Sequence, residues 1–66
     1  MGNFKVRLAR EYRDHKERLA RLDEFIGTQA FANFSEQKRE LLTRQRYLMR
    51  DLGDVLQARI RDLANG

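Results

Sequence analysis

Thr43, Arg46, Tyr47 and Arg50 stand at offsets of zero, three, four and seven, so a helix would carry all four on one face, the outer one, away from its apolar side. A phenol ring between two guanidiniums, with a hydroxyl beside them, offers a surface on which a base can stack and planar forks that fit phosphate. The same grouping also suits an exposed tyrosine stacked by arginine, or a contact between two copies of the chain. Three more polar residues interrupt otherwise apolar helical stripes: His15, Gln45 and Arg59. His15 reads as a partly buried imidazole hydrogen-bonded across to a second helix, with Tyr12 on the same stripe. Gln45 reads as a core amide that sets register. Arg59 needs an anion or several acceptors unless it reaches water near a helix end. The candidate ligand-binding residues are therefore Thr43, Arg46, Tyr47, Arg50 and Arg59, with Tyr12 and His15 contributing if a pocket opens into their stripe. Arg59 lies on the opposite side of its helix from Tyr47, so a pocket using both must be shared between protomers.

No arrangement of catalytic groups emerges from the remaining residues. A carboxylate-bridged di-iron site in a helix bundle needs Glu-x-x-His, but Tyr12 stands three before His15 and Glu11 four before. Zinc lacks ligands, since there is one histidine and no cysteine. There is no glycine-rich phosphate loop, and the carboxylates fall in helical charge patterns rather than as an inward-facing pair. The chain reads as a non-enzyme with no metal or cofactor.

Length narrows the architecture. Sixty-six residues make at most one domain, residues 1–66, and a domain of this size buries only about 60% of the surface its unfolded chain exposes. Without disulfides or a metal, self-association is the route left to a sufficient core. No apolar run approaches the roughly 18 residues of a membrane span, and Met1 to Val6 lacks the apolar stretch of a signal peptide. No membrane partner is expected, and the absence of cysteine suits a reducing cytoplasm.

The net charge of +4 is unevenly placed: +4 over residues 1–21, −2 over 22–35, +3 over 36–50 and −1 over 51–66. Eleven of the fourteen basic residues are arginine, whose planar fork favours an anionic partner. Glu11, Asp14 and Glu17 nevertheless lie among Arg7, Arg10, Arg13, Lys16 and Arg18, four residues from each of the arginines in turn, and they neutralise part of that charge along a solvated helix face.

The elements that must position these residues are helical. Asn3 is the expected N-cap of a first helix that ends near Ile26, with Gly27 supplying a left-handed residue just beyond. Leu8, Tyr12, His15, Leu19, Leu22 and Ile26 follow at alternating spacings of four and three, which is the seam of a bundle helix. Thr28 should cap a short turn through Phe31, and Ser35 a second long helix reaching Leu63. Phe25, Phe31 and Phe34 should pack where the chain reverses. On the second long helix an apolar arc about 140° wide is centred on Leu52 and takes in Leu41, Leu48, Met49, Val55, Leu56 and Leu63. One hairpin seam is narrower than that, so the surplus, with the overhanging C-terminal turns, should cover another protomer. Gly53 in mid-helix costs about 1 kcal/mol relative to alanine and should mark the close approach of another helix. The expected fold is all-α, an antiparallel helical hairpin with a short helical turn in its connection, assembling into a homo-oligomeric helix bundle.

The stretch Leu41-Leu42-Thr43-Arg44-Gln45-Arg46-Tyr47-Leu48-Met49, with Leu52, Val55-Leu56 and Arg59-Ile60, has a familiar pattern. Together with Phe4-Lys5-Val6-Arg7-Leu8 and Leu19 to Thr28, it resembles a large family of short helical proteins encoded by tailed phages and prophages, among them relatives of a small crAss-like phage protein. Many members carry tyrosine near the position of Leu52, so no pocket is carried over from them. Such proteins are similar to the sponges that counter CBASS and Thoeris immunity. The resemblance implies a homo-oligomer in the host bacterial cytoplasm that holds an anionic nucleotide signal, a cyclic di- or trinucleotide or a molecule of the cyclic ADP-ribose type, without cleaving it. Two other classes share the architecture: an RNA-binding hairpin dimer like the plasmid regulator Rop, which needs a continuous basic face, and a protein-only assembly module.

Overall fold

The alternating spacing of Leu8, Tyr12, His15, Leu19, Leu22 and Ile26 gives the first helix one apolar side, and that side meets the second long helix. The computed structural model describes residues 3–65 and comprises α1 (Asn3–Ile26), α2 (Gln29–Ala32) and α3 (Glu36–Asn65). α1 and α3 run antiparallel in a rod of 48 × 14 × 14 Å. Their pairing is fixed along its length by His15 against Met49, by Asp23 against Arg46, and by Lys5 and Leu8 beside Ile60, Leu63 and Ala64.

The caps explain the boundaries. Thr28 has extended backbone and its hydroxyl accepts from the Phe31 N–H at 3.2 Å, which starts α2. Ser35 does the same for α3 through the Lys38 N–H at 3.2 Å. Phe25, Phe31 and Phe34 meet edge-on or tilted, with ring centroids 6.1 and 5.5 Å from Phe25, and plug the turning end. Arg39 ties that end to α3 by donating to the Ala32 and Phe34 carbonyls at 2.9 and 3.1 Å.

Several boundary expectations are corrected. Asn3 is the first residue of α1 rather than its N-cap, and the residue a cap would need lies outside the described ones. Gly27 does not adopt a left-handed conformation. α1 closes instead by tightening, with the Gly27 N–H on the Glu24 carbonyl at 3.1 Å and the Thr28 N–H on that of Phe25 at 3.0 Å. The second long helix continues to Asn65, two residues past Leu63. Its C-terminal turns do not overhang, because the first turns of α1 cover them. The unmatched turns are those at the start of α3, beside α2 and the phenylalanines.

The apolar arc of α3 divides in two. Leu56 is 2% exposed and faces α1, in a seam of Leu42, Arg46, Met49, Gly53, Leu56, Ile60 and Leu63. Leu52, the expected centre of the arc, is 50% exposed, as it belongs to a second stripe with Leu41, Gln45, Leu48, Val55 and Arg59. At 100° per residue the two stripes lie about 100° apart. Gln45 is accordingly not a core amide: it is exposed, and its closest polar partner is the Met49 sulfur at 3.9 Å. Among the described residues the buried interior is Leu8, Leu56 and His15.

Candidate functional site

Successive turns of α3 carry Thr43, Arg46, Tyr47 and Arg50 to the rim of the α1–α3 seam. Tyr47 is 58% exposed, and the Arg46 guanidinium lies 5.9 Å from its ring centroid, within range of a cation–π contact. Arg46 departs from the expected outer face. It occupies a seam position, and its side chain, only 25% exposed, leans towards α1, where Asp23 Oδ1 stands 3.8 Å from its Nε. Arg50 reaches the same oxygen at 4.0 Å. Both separations are too long for hydrogen bonds, and Asp23 Oδ1 and Arg46 Nε are buried without a hydrogen-bond partner. Two guanidiniums thus converge on one carboxylate and leave one surplus positive charge. The Thr43 hydroxyl is committed to the Arg39 carbonyl at 2.8 Å, where it steadies the helix. Beside it Glu40, Thr43, Arg44 and Tyr47 line a shallow groove of about 330 Å³.

The other candidate residues lie elsewhere. Arg59 stands thirteen residues beyond Arg46, roughly 20 Å along α3. It lines a small groove with Phe4, Leu8, Asp62 and Leu63 near the end opposite the turn. Tyr12 is half-buried and borders a groove on α1 with Arg13, Lys16, Glu17 and Ala20, the Lys16 ammonium lying 5.5 Å from its ring. His15 is 6% exposed, and its Nε2 bonds across the hairpin to the Met49 carbonyl. Gly53 lies beneath the ring, where a Cβ would meet His15 at 3.5 Å, in ordinary contact. Gly53 thus faces His15 of α1, and the close approach is made within the hairpin.

Sequence reasoning missed Asp23, Glu40 and Arg44. Arg46 and Arg50, four apart on a seam edge, signal a need for an acid across the hairpin, but choosing Asp23 requires the register. No group of three or more His, Cys, Asp or Glu residues that could hold a metal occurs among the described residues. No described helix is long and apolar enough to cross a membrane.

No curated protein and no solved structure matches the chain. The Sequestin family model matches residues 2–62, which includes α1, α2, the Asp23–Arg46–Arg50 cluster and all but the last turn of α3. The name denotes sequestration, in keeping with a sponge-type protein. On a match this extensive, the chain belongs to the Sequestin family.

Proposed function

We propose that this chain binds an anionic nucleotide signal, a cyclic di- or trinucleotide or a cyclic ADP-ribose type of molecule, and withholds it from a host effector without cleaving it. It would act as a homo-oligomer in the cytoplasm of a bacterium infected by the phage that encodes it, in line with the resemblance to phage and crAss-like phage proteins. Membership of the Sequestin family supports the withholding. The observation that carries the nucleotide assignment is the cluster on α3, where Arg46 and Arg50 share a single carboxylate beside an exposed tyrosine ring. A phosphate offers more charge and more acceptor oxygens than Asp23, so it would draw both guanidiniums into true hydrogen bonds while Tyr47 stacks a base. One protomer provides only a shallow groove, whereas tight nucleotide binding needs most of the ligand enclosed. A pocket completed by another protomer would bring Arg59 or Tyr12 to a cluster they cannot reach within one chain, whereas His15 stays committed to the Met49 carbonyl inside the hairpin.

The chain acts here as a binder and not an enzyme, since the proposed site holds guanidiniums, a phenol and a committed hydroxyl, with no general base poised on a nucleophile. Rop-like RNA binding is less well supported, because Arg7, Arg10 and Arg18 share their groove on α1 with Glu11 and Asp14, which interrupt a basic face. The test is a panel of cyclic di- and trinucleotides and cyclic ADP-ribose isomers, read by thermal stabilisation and then by calorimetry on the wild type, Tyr47→Ala and Arg50→Ala. One class should stabilise the wild type, and either substitution should weaken binding at least about tenfold with folding little changed. Affinity for structured RNA with a steep salt dependence, and none for any nucleotide, would replace this reading with the RNA one.

A further inference from the structure

The second stripe of α3 is a surface of unusual shape for a protein this small. Leu41, Leu48, Leu52 and Val55 are each between 50% and 63% exposed, and with Gln45 and Arg59 they repeat at alternating spacings of four and three. That is the heptad pattern by which one helix packs along another, and α1 does not cover it. The chain exposes 5431 Å². A compact monomer of the same mass would expose about 4,400 Å², so roughly 1,000 Å² is left over. A standard interface covers about 800 Å² on each partner.

We infer that this stripe is the docking face for a second copy of the chain, with the two α3 helices antiparallel about a two-fold axis at Leu48. Charge selects the occupant and its direction. Arg44 and Asp51 border the stripe on the side away from α1, and antiparallel packing about Leu48 sets Arg44 of each copy beside Asp51 of the other, twice over. The same operation places Leu41 opposite Val55, Leu48 opposite itself and Gln45 opposite Leu52. It brings Arg59 near the exposed Gln37 of the other copy. A parallel pair in register would instead press Arg59 against Arg59, leaving Arg44, Asp51 and Asp62 facing the apolar flank of the partner's seam. Antiparallel packing also opposes the helix dipoles. The inference stands on this surface alone and requires no nucleotide. The proposed function shares with it only the premise of self-association.

The chain has no cysteine, so single cysteines report on the interface without background. With a short bis-maleimide, Leu48→Cys should cross-link to itself in high yield. Leu41→Cys should cross-link to Val55→Cys in a mixture but not to itself, and Asp54→Cys, on the far side of α3, should stay monomeric. Arg44→Asp and Asp51→Arg should each weaken the dimer roughly tenfold in sedimentation, and the double reversal should restore it. All these positions are exposed, and helicity measured by circular dichroism confirms folding. Cross-linking of Leu41→Cys to itself, equal cross-linking through Asp54→Cys, or an uncross-linked folded monomer would overturn the inference. Because no ligand is present, none of these outcomes bears on whether the protein binds nucleotide.

Discussion

Asp23 is the residue that sets how strongly the cluster can attract an anion. Its carboxylate answers both Arg46 and Arg50 from 3.8 and 4.0 Å without hydrogen-bonding either, and its side chain is 39% exposed. Such a partly exposed pair contributes little to stability, about 0.2–1 kcal/mol. As an internal anion it nevertheless competes with any phosphate for the same guanidiniums. Asp23→Asn should therefore shift stability by less than about 1 kcal/mol while raising nucleotide affinity roughly three- to tenfold, read by paired denaturation and calorimetry. Gly53 makes a separate prediction. A methyl group there meets the His15 ring only at 3.5 and 3.7 Å, so Gly53→Ala gains helix propensity without a clash. It should stabilise the protein by roughly 0.5–1 kcal/mol in urea denaturation, whereas Gly53→Leu should displace His15 from the Met49 carbonyl and destabilise it.

At the scale of elements, helix caps and seams were readable because they are local. Thr28 and Ser35 announce their helices by type and position, and the seam of α1 follows from the alternation of threes and fours. Gly27 shows where such a reading fails, since glycine after a helix permits a left-handed residue but does not demand one, and here two tight backbone bonds close the helix instead. Gly27→Ala should therefore be tolerated, with a change in stability within about 1 kcal/mol in denaturant titration. A left-handed glycine would lose more than that on substitution. α3 shows a second limit. A wide apolar arc on a wheel is the sum of the stripes it contains, and the wheel cannot say which stripe meets α1. That choice follows from Leu56 packing against α1 while His15 lies over Gly53, contacts that involve both helices. The same missing register hid Asp23 from sequence and placed Arg46 on the outer face, when it occupies a seam position.

The whole molecule is a thin rod whose described interior holds two leucines and one histidine. With an interior of that size, burial of the exposed stripe in the proposed dimer should link stability to association. The thermal midpoint should accordingly rise as protein concentration increases about a hundredfold through the micromolar range, whereas a midpoint independent of concentration would mean that one hairpin is stable alone. The proposed function, an assembly that holds a nucleotide and keeps it, draws its support from family membership, the phage resemblance and the arginine cluster. The most direct measurement is to load the purified protein from an equimolar mixture of cyclic nucleotides and cyclic ADP-ribose isomers. The complex is then separated from free ligand, denatured, and the released material weighed by mass spectrometry. One class of nucleotide should be retained through the separation by the folded protein and recovered with its mass unchanged. Recovery of a linearised or hydrolysed product, or a folded protein that retains nothing from the mixture, would rule out a binder that sequesters a nucleotide intact.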